Sequence, residues 1–176
     1  MKNKLKELIE QSGFDCVGQF SAADLKLLPE VRDMCAADKC HAYNRSWSCP
    51  PACGTLEYFE ERFTNYQDGL VFQTIGQMQD SLDFEAVQAA SILHKERFHN
   101  LVEQTLPYKS DLLLLSAGSC SLCESCTYPD APCRFPDKVY PSMEATGLLV
   151  SDVCTAAGVP YYHGPNTIAY SSCVLF

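Results

Sequence analysis

Four cysteines within fourteen residues constrain this chain more than any other feature of its sequence. They are Cys120, Cys123, Cys126 and Cys133, and their spacing is C-x2-C-x2-C-x6-C. A cubane cluster needs thiolates at several corners of one compact object, and two consecutive two-residue gaps let one loop supply three of them. A structural zinc site more often combines two separated C-x2-C pairs. The spacing therefore predicts a [4Fe-4S] cluster held by these four cysteines, with zinc as the alternative.

A second group of cysteines lies earlier in the chain. It comprises Cys35, Cys40, Cys49 and Cys53, with the spacing C-x4-C-x8-C-x3-C, which matches no single ligand template. We interpret this group as a second metal site, a further [4Fe-4S] cluster. Two alternatives stay open. Some of these thiols are core residues and only two or three bind metal, or the two groups exchange a ligand, as happens in two-cluster ferredoxins.

The net charge of the chain and its expected compartment limit the possible partners and the chemistry of the cysteines. The formal net charge of −9 disfavours nucleic acid, because no field of Lys and Arg is available to neutralise phosphates. The N-terminal segment MKNKLKELIEQSG lacks the apolar region of a signal peptide, and the apolar runs are too short to span a bilayer. We therefore expect a cytoplasmic protein without membrane contact. A reducing compartment favours metal ligation over disulfides for its eleven cysteines.

The other cysteines and the histidines carry separate predictions. Three cysteines in strand or helix patterns are expected to be buried as small apolar side chains: Cys16, Cys154 and Cys173. Cys173 is also a candidate ligand, since it lies near the chain end, and His41 is a candidate replacement for the neighbouring Cys40. His94 and His99, on an amphipathic segment, are expected to be solvated.

Apolar periodicity predicts helices combined with a small sheet. The run at 111–117, DLLLLSA, predicts a central strand covered on both faces, and strands are also predicted at 70–75 and 167–175. Helical spacing extends over about 81–106 and again from 142 to a stop at 158. We expect one domain over residues 1–176, of the α/β or α+β class. Its small mixed sheet is flanked by helices and carries two cysteine-rich metal-binding loops.

Four local sequences, distributed over nearly the whole chain, together resemble those of one family. They are Cys35-x4-Cys40 with Tyr43 and Cys49-Pro50-Pro51, the C-x2-C-x2-C run ending in Cys133-Arg134, PSMEATG at 141–147, and NTIAYSSCVL at 166–175. In these the chain resembles a prokaryotic family of predicted metal-binding proteins, domain of unknown function 2284. The resemblance implies metal binding by these cysteines and no particular reaction.

Three functional hypotheses follow. In the first, two clusters carry single electrons between a redox partner protein and an enzyme of anaerobic metabolism. In the second, the protein is an enzyme in which one cluster iron lacks a protein ligand and binds a small-molecule substrate, with the turn at 163–167 as a candidate pocket wall. In the third, zinc stabilises an interaction module. A homo-oligomer is compatible with all three.

Overall fold

The chain forms six helices and four strands, and a computed structural model describes all of residues 1–176. In chain order the elements are α1 (Lys2–Gln11), β1 (Cys16–Ser21), α2 (Pro29–Ala36), α3 (Leu56–Phe63), β2 (Asp68–Gln77), α4 (Phe84–Thr105), β3 (Leu113–Leu115), α5 (Met143–Thr146), α6 (Val150–Ala156) and β4 (Thr167–Leu175). The predicted α+β class is confirmed. None of the helices combines the length and apolar character that a membrane span requires.

The strands form one sheet in the order β1-β2-β4-β3. Every pair of neighbouring strands is antiparallel, so the sheet itself is uniform rather than mixed. One isolated parallel bridge joins Ser116 to Ser142 beyond the end of β3. This bridge ties the start of the segment after β3 to the start of α5.

Helices cover both faces of the sheet. Leu70 and Phe72 of β2 pack with residues of α1 and α4, whereas Val71 packs with residues of α5 and α6. Alternate side chains of a strand point to opposite faces, so a strand covered on both sides is apolar throughout. We refer to the sheet with α1, α4 and α6 as the sheet body.

The prediction of a central strand at 111–117 is wrong about its place in the sheet and its length. The strand β3 lies at the edge of the sheet and has only three residues. The prediction that both faces are covered is confirmed. Leu114 packs toward α1 and α4, and Leu113 and Leu115 pack toward α5 and α6. A continuous apolar run reports burial of both faces and says nothing of how many neighbouring strands there are.

The helix expected from residue 142 to 158 is wrong as a single helix, because it is divided into α5 and α6. The break falls at Gly147, whose φ of 98° is left-handed. A Cβ at this position would lie 2.6 Å from the side chain of Leu56, so the packing of α3 also favours glycine. The Ser142 hydroxyl caps α5 by accepting from the N–H of Ala145 at 3.2 Å. The break leaves α5 free to pack against α2.

His94 is buried, with 1% of its surface exposed, so the prediction of a solvated side chain is wrong. It lies on the face of α4 that packs against the sheet. Its Nδ1 is 3.0 Å from Thr74 Oγ1, and its Nε2 is 2.7 Å from Ser172 Oγ. Burial lowers the pKa of His94 to about 3. His99, one turn later, is half-buried.

Candidate metal centres

The second cysteine loop (residues 118–139) connects β3 to α5 and begins at Gly118, whose φ of 66° is left-handed. Its four predicted ligands line one cavity of about 170 Å³: Cys120, Cys123, Cys126 and Cys133. The sequence-predicted group is therefore brought together around a common space. All eleven cysteines carry free thiols.

Backbone N–H groups of this loop point at its sulfur atoms. The N–H of Leu122 donates to Cys120 Sγ at 3.5 Å, and the N–H of Phe135 donates to Cys133 Sγ at 3.4 Å. In both cases the donor lies two residues after the cysteine. Such N–H groups stabilise a thiolate and tune the potential of a bound cluster.

Cys126 is the thiol with the lowered pKa. Partial burial opposes its ionisation, but hydrogen bonds from the N–H groups of Tyr128 and Trp47 and from the Ser46 side chain outweigh burial and lower the pKa of Cys126 below its ordinary value. Tyr128 again lies two residues after the cysteine. Two of the four thiols in this loop, those of Cys120 and Cys133, thus have a hydrogen bond from a local amide donor.

The first cysteine loop (residues 35–53) begins in the last turn of α2. A cavity of about 260 Å³ is lined by Cys35, Cys40 and Cys49. Cys53 does not line it, and its Sγ lies 3.9 Å from the carbonyl oxygen of Ala145 in α5. Three members of the predicted group therefore share one space, and the fourth faces the junction of the loop with α5.

Three non-glycine residues with left-handed φ wind the first cysteine loop: Asp38, His41 and Asn44. Asp and Asn tolerate this conformation better than most residues. The Asp38 carboxylate accepts from the N–H of Tyr43 at 3.0 Å, which closes the turn after Cys40. These turns bring Cys35, Cys40 and Cys49 to one cavity without regular secondary structure.

Three thiols of the first cysteine loop are partly or fully buried, whereas that of Cys40 is exposed. Burial raises the pKa of Cys35 and of Cys49 and raises the pKa of Cys53 to about 11, although the Arg32 guanidinium opposes the shift at Cys35 and Cys53. Arg32 donates to the carbonyl oxygen of Gly54 at 2.9 Å and also to that of Ala145. Arg32 therefore joins α2, the end of the first cysteine loop and α5.

The two cavities adjoin. Ser119 lines both of them. The buried hydroxyl of Ser48 accepts from the N–H of Cys120 at 2.9 Å and lies 3.6 Å from Cys49 Sγ, so it links a cysteine of each group. Lys95 of α4 donates to the carbonyl oxygen of Ser119 at 3.0 Å. One serine and one lysine thus connect the two candidate centres.

Charged side chains of both signs line the two cysteine cavities. Arg45, Arg134 and Glu124 line the cavity of the second cysteine loop, and Lys39 and Glu144 line the other. Arg134 also donates to the carbonyl oxygen of Ser125 at 2.9 Å. Cations at this end offset the charge that thiolate ligation would create.

The donor sets fit a thiolate-bound metal. The four thiols of the second cysteine loop line one cavity of about 170 Å³. Nowhere in the chain do three or more Cys, His, Asp or Glu side chains converge closely enough to hold a single metal ion. Soft thiolates around a shared space suit zinc as well as an iron–sulfur cluster.

Other residues singled out from the sequence have different places. His41 lines the cavity of the second cysteine loop, although it belongs to the first. Cys154 and Cys173 are buried in the sheet body, as predicted, while Cys16 is half-buried. The turn at 163–167 lines neither cysteine cavity, and His163 contacts Gln73 instead.

Sequence reasoning missed the residues that join the two centres. Ser48 directly precedes Cys49, and this adjacency was the available signal for it. Lys95 lies on α4, and no pattern relates it to Ser119, which it contacts in the second cysteine loop. Arg32, which joins the end of the first cysteine loop to α5, was missed for the same reason.

Comparison with known proteins gives one match. A family model described as "Predicted metal-binding protein (DUF2284)" matches residues 18–176. No curated protein and no solved structure matches the chain. The family match covers both cysteine loops and every strand except the first two residues of β1.

Proposed function

The chain belongs to the domain of unknown function 2284 family of predicted metal-binding proteins, and we propose that it is an iron–sulfur protein with a [4Fe-4S] cluster in each cysteine cavity. Cys120, Cys123, Cys126 and Cys133 hold one cluster. Residues of the first cysteine loop hold the other. Its function is electron transfer in anaerobic metabolism.

The observation that carries the proposal is the set of amide donors in the second cysteine loop. Cys120 and Cys133 each have a local N–H donor two residues on. Repeated N–H···S contacts stabilise anionic sulfur, and they set the potential of iron–sulfur clusters. A loop whose thiols only filled space would have no need of these donors.

The adjoining cavities support exchange of electrons between the two centres. A bound cluster supplies one-electron redox chemistry. The chain holds the clusters, and the Ser48 hydroxyl lies between Cys49 and Cys120. Lys95 places positive charge beside both centres, since its ammonium is half-buried and bonded to Ser119.

The surface near the cysteines supports contact with a redox partner protein. Cys40 and Cys126 are exposed. Met34 is 63% exposed and Phe135 is 42% exposed, and each lines the rim of one cysteine cavity. Apolar side chains around an exposed ligand favour a short-lived protein contact. Free thiols and clusters both require a reducing compartment, so we also propose a cytoplasmic location.

Anaerobic purification followed by iron, sulfide and zinc analysis tests the proposed function. We expect about eight irons and eight sulfides per chain, two cubanes in all. Zinc in place of iron, with no acid-labile sulfide, would replace the proposal by a zinc-stabilised module. The control variant is Cys154→Ala, which removes a buried thiol of the sheet body and is expected to leave the iron content unchanged.

A further inference from the structure

Cys53 differs from the other three cysteines of its group in what it contacts. Its Sγ lies 3.9 Å from the carbonyl oxygen of Ala145 in α5. Its own N–H donates to the carbonyl oxygen of Cys49 at 3.1 Å. Cys53 is thus held at the junction of the loop with α5, and it does not line the cavity that Cys35, Cys40 and Cys49 share.

The remaining wall of that cavity carries groups suited to a small ligand. Lys39 is exposed at the cavity and brings an ammonium group, while Tyr43 adds a half-buried hydroxyl. Glu144 lines the cavity from α5, and Met34 and Pro50 supply apolar surface. The cavity, of about 260 Å³, is larger than that of the second cysteine loop, which has four cysteines and is about 170 Å³.

We propose that the cluster of the first cysteine loop is held by Cys35, Cys40 and Cys49 alone, so that one iron binds a small ligand with an anionic oxygen or sulfur donor in this cavity. Cys53 is a structural residue of the loop–α5 junction. Lys39 attracts the ligand by its charge. This inference rests on the proposed function, because it assigns the ligands of one of the two proposed clusters.

Two matched alanine variants test the ligand assignment. Cys35→Ala should lose about four irons per chain, since a cluster with two thiolates is not retained. Cys53→Ala should keep the iron and sulfide content of the wild type. Equal iron loss in both variants would overturn the assignment. Circular dichroism of each variant verifies folding, and Cys40→Ala replaces Cys35→Ala if the latter does not fold.

The open iron requires a separate test, because Glu144 is a possible fourth ligand. Glu144→Gln should keep the wild-type iron content; loss of about four irons would assign the fourth position to the carboxylate and overturn the open site. Adding 2-mercaptoethanol or acetate to the reduced protein should change its electron paramagnetic resonance spectrum in a saturable way. An unchanged spectrum with both probes would also overturn the open site.

The outcomes separate this inference from the proposed function. A wild-type protein with about eight irons in which Cys53→Ala loses about four has two clusters and no open iron. If the wild-type protein contains neither iron nor sulfide, both the proposed function and this inference are wrong. The Lys39→Ala variant should keep its iron and bind acetate several-fold more weakly than the wild type. If its acetate affinity is unchanged, Lys39 does not attract the ligand.

Discussion

The sheet body and the cysteine end satisfy their buried groups in different ways. In the sheet body, His94 has Thr74 and Ser172 as partners, and Gln73 bonds to Ser171 at 3.1 Å and to His163 at 3.0 Å. At the cysteine end, neighbouring thiols face a shared cavity instead of packed side chains.

The difference indicates which part of the molecule needs a ligand in order to be stable. The sheet body buries apolar side chains on both faces, which stabilises it without any addition. The second cysteine loop has no helix or strand, so its ordering entropy has little hydrophobic compensation. Metal binding must then contribute to the folding of this end.

The largest expected effect is loss of a cluster. Replacing Cys123 by Ala in the second cysteine loop should remove about four irons per chain, because one of four thiolates is lost. The helix signal in circular dichroism should remain, since the sheet body does not depend on this loop. If Cys123→Ala keeps all its iron, the second cysteine loop is not a four-cysteine site.

Limited proteolysis compares the two regions directly. After oxidative cluster loss, we expect cleavage within residues 118–139 and within residues 36–53, while α4 and the sheet stay intact. Cleavage at 118–139 should come first, because Arg32 still joins the first cysteine loop to α5. Equal resistance before and after cluster loss would contradict the comparison, since packing alone would then order the loops.

Arg32→Ala tests how far regular structure supports the first cysteine loop. Two charge-assisted hydrogen bonds to buried carbonyl groups are lost, and we expect the free energy of unfolding to fall by about 2 kcal/mol. Urea denaturation under anaerobic conditions measures this. Arg45→Ala is the matched control. Its exposed ion pair with Asp38, at 3.6 Å, should contribute no more than about 0.5 kcal/mol.

The smallest expected effect is a pH dependence that arises in the sheet body. In the folded state His94 has a pKa of about 3, compared with the ordinary value of 6.5. Between these two pH values the unfolded chain therefore binds a proton that the folded chain does not. Stability is therefore complete above about pH 6.5 and falls as the pH drops toward 3. At pH 5.5 this contributes a loss of about 1.4 kcal/mol.

Urea midpoints at pH 7.5 and 5.5 measure this loss. His94→Gln has no titrating side chain here and should show a smaller difference between the two pH values. If His94→Gln shows the same difference between the two pH values as the wild type, His94 is not the source of the pH dependence.

Much of the fold was predictable because local patterns report burial. The strand at 167–175 and the long helix over about 81–106 were found within a few residues, since their apolar spacing reflects the faces they bury. The edge position of β3 was not predictable, because the same apolar run arises in a central strand. The close approach of Leu56 to Gly147 was not predictable either, because Leu56 lies far away in the sequence.

The candidate site was predictable where one loop supplies it. The grouping of Cys120, Cys123, Cys126 and Cys133 around one cavity follows from their spacing. The separate environment of Cys53 does not, because it depends on a tertiary contact with α5. The burial of His94 was missed for a related reason: its polar partners, Thr74 and Ser172, come from two different strands.

The contacts of residues 46–48 have a consequence for metal loading. The Trp47 indole donates to the carbonyl oxygen of Ala131 at 3.2 Å, and Ser48 accepts from the N–H of Cys120. Each cysteine loop therefore forms hydrogen bonds that help to order the other. We expect loading of the two sites to be coupled, so that a chain unable to close its first loop also fills its second site slowly, even with all four thiols intact.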